Sequence, residues 1–166
     1  MPERLYALLE GASSPACLDC AQCCEMPWLA EGETTALPTE TTDGVRFGSG
    51  NCGRCSALRG PLCAIYPDRP LDCRLFPLDI VEHEGEYWWC IFLNCRAPDA
   101  LADVLVPRIP ALEAAMTAEL WRQFRQQIAL TRSTYPPYAE GRYRLIRRVQ
   151  GELFNSHTTD EPAAPR

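Results

Sequence analysis

The sequence predicts a small α+β domain, rich in loops and stabilised by metal, in which a cysteine cluster is joined to a short β-hairpin and C-terminal helices. Three observations predict it. All ten cysteines fall between Cys17 and Cys95, and four of them crowd into "CLDCAQCC". The stretch "LDIVEHEGEYWWCIFL" has two apolar runs about a polar, glycine-containing turn, the pattern of a hairpin. From Pro110 onward, apolar residues recur at steps of four, the spacing of one helix face. The chain's 166 residues fit one domain of ordinary size, and its 15 prolines and 10 glycines imply much irregular backbone.

Taken in order, "PERLYALLEG" (residues 2–11) reads as a short helix stopped by Gly11, and the first cysteine cluster follows at once. Residues 29–50 are polar, acidic and rich in threonine and glycine. They read as a loop with a short strand at Val45–Phe47. The second cluster runs from Cys52 to Cys73. The hairpin is then Leu78–Glu82, a turn at His83–Glu86, and Tyr87–Leu93, with Cys90 on its second strand and Cys95 just after it. Leu112, Met116, Leu120, Phe124 and Ile128 define one amphipathic helix of about five turns. "YPPY" (Tyr135–Tyr138) breaks it. A second helix is expected at Tyr143–Phe154, with Arg142, Arg144, Arg147 and Arg148 as a solvated face rather than a dock for an acidic partner. The organisation is therefore a cysteine cluster region at 1–96, a helical part at 97–154 packed on it within the same domain, and a disordered polar tail at 155–166.

Composition narrows the function. The formal net charge is -6, which excludes a general nucleic-acid binder. Every basic side chain is arginine. No basic stretch followed by an apolar core opens the chain, and no run reaches the roughly 18 apolar residues of a membrane span. The expected location is cytoplasmic, with no membrane partner. Cytosolic thiols stay reduced, so ten of them favour metal binding over disulfides.

Thiolates suit borderline and soft metals: zinc, and iron in iron–sulfur clusters. A Cys-x2-Cys pair brings two sulfurs to one ion from a single turn of backbone. The chain has three such pairs, Cys17–Cys20, Cys20–Cys23 and Cys52–Cys55, and further cysteines at Cys63, Cys73, Cys90 and Cys95. If residues 17–24 are helical, Cys17, Cys20 and Cys24 fall within about 60° of one another, while Cys23 lies up to about 120° away. An extended segment also points neighbours to opposite sides. Cys23 and Cys24 are thus expected to serve different sites or roles.

The string "CAIYPDRPLDCRLFPL" (Cys63–Leu78) completes a recognisable pattern. Cys17-x2-Cys20-x2-Cys23-Cys24, then Cys55-x2-Leu58, then the Ile-Tyr, Arg-Pro and Cys-Arg-x-Phe-Pro elements around Cys63 and Cys73 resemble the CxxCxxCC family. These are also called YkgJ-like cysteine cluster proteins and are zinc- or iron-chelating domains. The resemblance covers about residues 15–95, and it implies ligands among Cys17, Cys20, Cys23, Cys24, Cys55, Cys63 and Cys73. Cys52, Cys90 and Cys95 are candidates on residue type alone. A similar cysteine pattern in flagellin lysine methylases implies an iron–sulfur centre. Methylase activity is not carried over, because no glycine-rich nucleotide site is present.

Four thiolates around zinc or a [4Fe–4S] cluster carry a net charge of about -2. Arg69 and Arg74 stand near Cys63 and Cys73 and are candidates to offset it, although Arg69 could equally pair with Asp68 or Asp72. Pro67 and Pro70 stiffen the intervening loop. Tyr66 and Phe76 read as packing around the site. His83 reads as a solvated side chain, His157 as part of the tail, and "EYWWCIFL" as an apolar strand rather than a base-stacking surface. No nucleophile triad, paired carboxylates or phosphate loop is present. The expected function is thiolate-based metal binding. An iron–sulfur cluster in a redox or accessory role, beside an unknown protein partner, is favoured because the sulfurs are scattered as a quartet, a pair and four singles. The alternative is a structural zinc module for protein interaction, since structural zinc usually takes two compact ligand pairs. An enzyme with an open metal position has the least support, for want of an acid–base partner.

Overall fold

The computed structural model describes residues 2–11, 58–60, 62–63, 66, 71–134 and 136–150. The strand expected at Val45–Phe47, the two-faced segment 17–24 and the tail at 155–166 lie outside them. Helix α1 is Pro2–Leu9. A two-stranded antiparallel hairpin follows, β1 (Leu58–Arg59) and β2 (Leu62–Cys63). Next come α2 (Leu71–Leu75), β3 (Leu78–His83), β4 (Glu86–Phe92), α3 (Pro98–Leu105) and a 3-10 turn at Val106–Arg108. The rest is α4 (Ile109–Ala115), α5 (Ala118–Thr134), α6 (Pro136–Ala139) and β5 (Tyr143–Arg148). Helices around a three-stranded antiparallel sheet of order β3-β4-β5 make the fold α+β, as expected.

The β3–β4 hairpin forms where the alternating apolar pattern predicts it. Its two-residue turn, Glu84–Gly85, has φ of 53° and 80°. Two left-handed residues match the right-handed twist of the flanking strands, and glycine takes the second position without a steric penalty. The register pairs Leu78 with Ile91, Ile80 with Trp89 and His83 with Glu86. Leu78, Ile80, Val81, Trp89, Cys90, Ile91 and Phe92 are all buried, so "EYWWCIFL" is core strand.

Two expectations about the C-terminal part are corrected. The helix expected to run on from Pro110 is two helices. Met116 has extended backbone (φ −67°, ψ 128°), which ends α4. Thr117 Oγ1 accepts the Leu120 N–H at 3.2 Å and caps the start of α5. Leu112, Met116, Leu120, Phe124 and Ile128 are nevertheless all buried. The four-residue spacing marked the buried stripe; it did not require the backbone to be continuous.

The second correction is larger. Tyr143–Arg148 is strand β5, not a helix. Gly141, at φ +66°, turns the chain back, and β5 pairs antiparallel with β4 through Phe92↔Tyr143 and Trp89↔Arg147. An unpaired β4 would leave a very apolar edge open to other chains. The arginines lie on and beside this strand rather than on a helix face, and each is paired with a carboxylate. Arg142 pairs with Glu140, Arg144 with Asp99, Arg147 with Glu113 and Arg148 with Glu86, at 2.6 to 2.9 Å. Glu113 is the buried partner. It accepts from Trp89 Nε1 at 2.8 Å, Arg147 Nη2 at 2.9 Å and the Gln150 backbone N–H at 2.9 Å. One carboxylate thereby ties α4 to β4 and to β5.

One apolar cluster unites Leu5 and Leu9 of α1, Leu71 and Leu75 of α2, the β3–β4 residues, and Leu101, Leu105, Ile109, Leu112, Phe124 and Ile128 of the following helices. The other edge of the sheet is closed by Tyr138 of α6. Its hydroxyl donates to the Glu82 carbonyl at 3.2 Å and accepts the Glu82 N–H at 2.7 Å. Its ring meets Phe92 and Tyr143 edge-on, with centroids 6.5 and 5.9 Å away. Burial pushes the Tyr138 hydroxyl up from its ordinary 10.0 to about 12. The folded chain therefore holds this proton more tightly than the unfolded chain, and stability is lost as pH rises from 10.0 towards about 12. Tyr138→Phe is expected to cost ~1–2 kcal/mol at neutral pH, because the Glu82 N–H loses its acceptor. The variant should also lack that part of the alkaline loss. Urea unfolding of both proteins at neutral and alkaline pH measures the two effects.

Candidate metal centre

Cys17, Cys20, Cys23, Cys24, Cys52 and Cys55 lie outside the described residues. The other four are placed by three different devices. Cys63 is the last residue of β2, opposite Leu58 across the short hairpin, whose turn includes Gly60 at φ +59°. Cys73 lies in the single turn of α2. Leu71 and Leu75, one turn apart, are 1% and 3% exposed and fasten α2 to the core. Cys73, two residues from each, falls on the opposite side of that turn and is half-buried. Cys95 follows β4, half-buried against the core.

Hairpin topology sets two of these thiols at one end of the sheet. In an antiparallel pair the start of the first strand lies beside the end of the second. The Phe92 N–H donates to the Pro77 carbonyl at 2.9 Å, which extends the ladder beyond the Leu78↔Ile91 pair. Cys73 is five residues before β3 and Cys95 three residues after β4, so both belong to the open end of the hairpin, away from the Glu84–Gly85 turn. The Leu93 N–H, bonded to the Arg142 carbonyl at 3.0 Å, brings the start of β5 to the same end.

Cys90 is set apart. It is fully buried in mid-strand, opposite Asp79 on β3 and Leu145 on β5. Burial, and secondarily the charge of Asp79, pushes its thiol well above the ordinary range. In the metal-free chain the neutral thiol is favoured at this position. Among the described residues, no group of three or more His, Cys, Asp or Glu side chains could hold a metal ion.

The neighbours bear on charge. The Arg74 guanidinium lies 4.5 Å from the centre of the Tyr6 ring, which joins α2 to α1. Stacking on the ring leaves the guanidinium charged. Arg69 lies outside the described residues. Phe76 packs against the core, as expected. His83 is not simply solvated: it is half-buried, with Nδ1 3.5 Å from the Tyr143 hydroxyl. Sequence reasoning misses Tyr143 and Tyr138, because the pattern there predicts a helix start and a helix break. Burial raises the Tyr143 hydroxyl, and Cys90 adds to the effect. Tyr143 and Ile146 favour a strand, but the arginines and leucine around them suit a helix as well.

Residues 16–97 match the model of the CxxCxxCC family, described as "Putative zinc- or iron-chelating domain". This segment is similar to that family. The CxxCxxCC segment covers just under half of the chain, contains all ten cysteines and ends immediately before α3 at Pro98. No curated protein and no solved structure matches the chain. The family segment supplies β3 and β4, while β5 and the helices from α3 onward lie beyond it and share its core. No helix among the described residues is long and apolar enough to cross a membrane.

The burial of Cys90 has a direct consequence. In native, reduced, metal-free protein at mildly alkaline pH, Cys90 should be alkylated after Cys73 and Cys95, and Cys90→Ala should leave the metal content of the isolated protein unchanged. Peptide mapping of timed alkylation, with elemental analysis of the variant, tests both points.

Proposed function

We propose that this chain is a cytoplasmic metal-binding protein whose cysteines hold an iron–sulfur cluster in a redox or accessory role beside a protein partner, without nucleic acid. The observation that carries the reading is the family match of residues 16–97, joined to the arrangement of the hairpin's open end. Cys73 and Cys95 supply soft, half-buried sulfur donors there, and Arg74 supplies positive charge one residue from Cys73. The donor chemistry fits thiolate-bound iron or zinc. Ligands are proposed among Cys17, Cys20, Cys23, Cys24, Cys52, Cys55, Cys63, Cys73 and Cys95, with Cys90 serving as packing. A cluster would supply one-electron chemistry; the protein's part is to fix the sulfurs and to balance their charge. Bound metal is further proposed to supply part of the folding energy of the cysteine segment.

A structural zinc module is the second reading, and one observation favours it. The short β1–β2 hairpin begins three residues after Cys55 and ends on Cys63, a compact way of presenting a Cys-x2-Cys pair and a further sulfur to one ion.

Protein purified without oxygen should be brown, with broad visible sulfur-to-iron absorption, stoichiometric iron and acid-labile sulfide. Colourless protein with stoichiometric zinc and no sulfide would establish the zinc module instead. Cys20→Ser, Cys24→Ser, Cys63→Ser and Cys73→Ser should deplete the same site, and Cys23→Ser should deplete another site or have less effect. Equal losses from Cys23→Ser and Cys24→Ser would refute the division of roles between these neighbours.

Removing metal under reducing conditions should raise hydrogen exchange in segment 17–95 more than in α5. Equal protection with and without metal would rule out a folding contribution.

A further inference from the structure

Two short helices, α1 and α2, lean on each other. α1 has eight residues, fewer than an isolated helix needs to persist in water. Its last carbonyls have no intrahelical donor. Arg108 fills that need from the 3-10 turn before α4: Nη1 donates to the Leu8 carbonyl at 2.7 Å and to the Glu10 carbonyl at 2.9 Å. A cation at this end of a helix also complements the helix dipole. Leu5 and Leu9 are 3% and 5% exposed in the shared core.

α2 is weaker still on its own, because its five residues make a single turn. Leu71 and Leu75 anchor it in the same apolar cluster as Leu5 and Leu9. α1 packs against it, and the Arg74 guanidinium lies 4.5 Å from the centre of the Tyr6 ring. Cys73 is one residue from Arg74, in that turn.

The sheet limits how far a disturbance here can spread. Pro77, two residues after α2, is tied to β4, since its carbonyl accepts the Phe92 N–H at 2.9 Å. Leu78 then pairs with Ile91, and both are buried. Ladder bonds thus hold β3 and β4, whereas α1 and α2 depend on side-chain packing and on the Arg108 bonds. Proteins open locally in such cooperative units, at a lower cost than global unfolding.

We propose that α1 and α2 open as one unit while the β3–β4 hairpin stays closed, and that Arg108 sets how often this happens. Arg108 is then a positioning residue for Cys73. It fixes the end of α1, and α1, through Tyr6 and the leucine cluster, holds the turn that presents the thiol. Control over a cysteine of the segment 16–97 therefore lies outside that segment. The coupling is a property of the folded chain and does not rest on the metal-binding reading.

The test uses the full-length reduced protein with the metal it carries on isolation. Arg108→Ala should speed hydrogen exchange in α1 and α2 by the same factor, about tenfold, as the loss of roughly one to two net hydrogen bonds implies. The Phe92 amide and α5 should keep wild-type exchange. Alkylation of Cys73 should quicken by a similar factor relative to Cys95, which follows β4 and lies outside the unit. Arg108→Lys should fall between wild type and Arg108→Ala, since an ammonium keeps the charge near the carbonyls without the guanidinium's geometry. Faster exchange in α1 with wild-type exchange in α2, or with unchanged Cys73 alkylation, would show the two helices to be independent and overturn the inference. Wild-type exchange in α1 would overturn it too, as would an equal rise in α5, the mark of global destabilisation.

Discussion

The register of the β3–β4 hairpin is the constraint on which the rest of the molecule depends. Pairing Leu78 with Ile91 and Ile80 with Trp89 buries both strands. A slip of one residue would turn every side chain of one strand to the other face and break the alignment of the apolar positions. The Glu84–Gly85 turn fixes the register from one end and the Phe92–Pro77 bond from the other. Everything else attaches to this unit. α2 and Cys73 precede it, Cys95 follows it, β5 lies along β4, and Tyr138 seals β3.

Charge is distributed to serve this arrangement. Four arginines on and beside β5 meet carboxylates from α3, α4, β4 and the turn after α6. Three of these pairs are solvent-exposed and add little to stability, because water competes with them and side-chain entropy opposes them. The Glu113 pair differs. Its carboxylate is buried and satisfies an indole, a guanidinium and a backbone amide together, so losing it would strand three donors.

The cysteine-rich segment shares one core with the helices that follow it. The CxxCxxCC segment ends at residue 97, yet its strand β4 is completed by β5, and its α2 shares a core with helices from beyond the segment. The C-terminal half is therefore part of the structure that presents the cysteines.

The sequence by itself determined the features that rest on short-range patterns. The alternation in "LDIVEHEGEYWWCIFL", with its glycine turn, identified the hairpin to within a residue or so. The ending of α1 before Gly11 was legible from glycine's freedom at positive φ. The order and spacing of the cysteines identified the family, because few chemistries use so many thiols at such intervals. Tertiary structure decided the rest. The stripe from Leu112 to Ile128 is buried as one face but carried by two helices, because extended backbone at Met116 ends one and a threonine cap at Thr117 starts the other. Tyr143–Arg148 carries enough helix-forming residues to pass for a helix, but it is a strand because β4 offers an unpaired edge and Asp99, Glu113 and Glu86 offer partners on both sides. Cys90 shows the limit for the candidate site. The apolar run around it placed it on a strand and Cys95 just after, but only the pairing with both β3 and β5 shows that Cys90 is fully buried while Cys95 is half-buried.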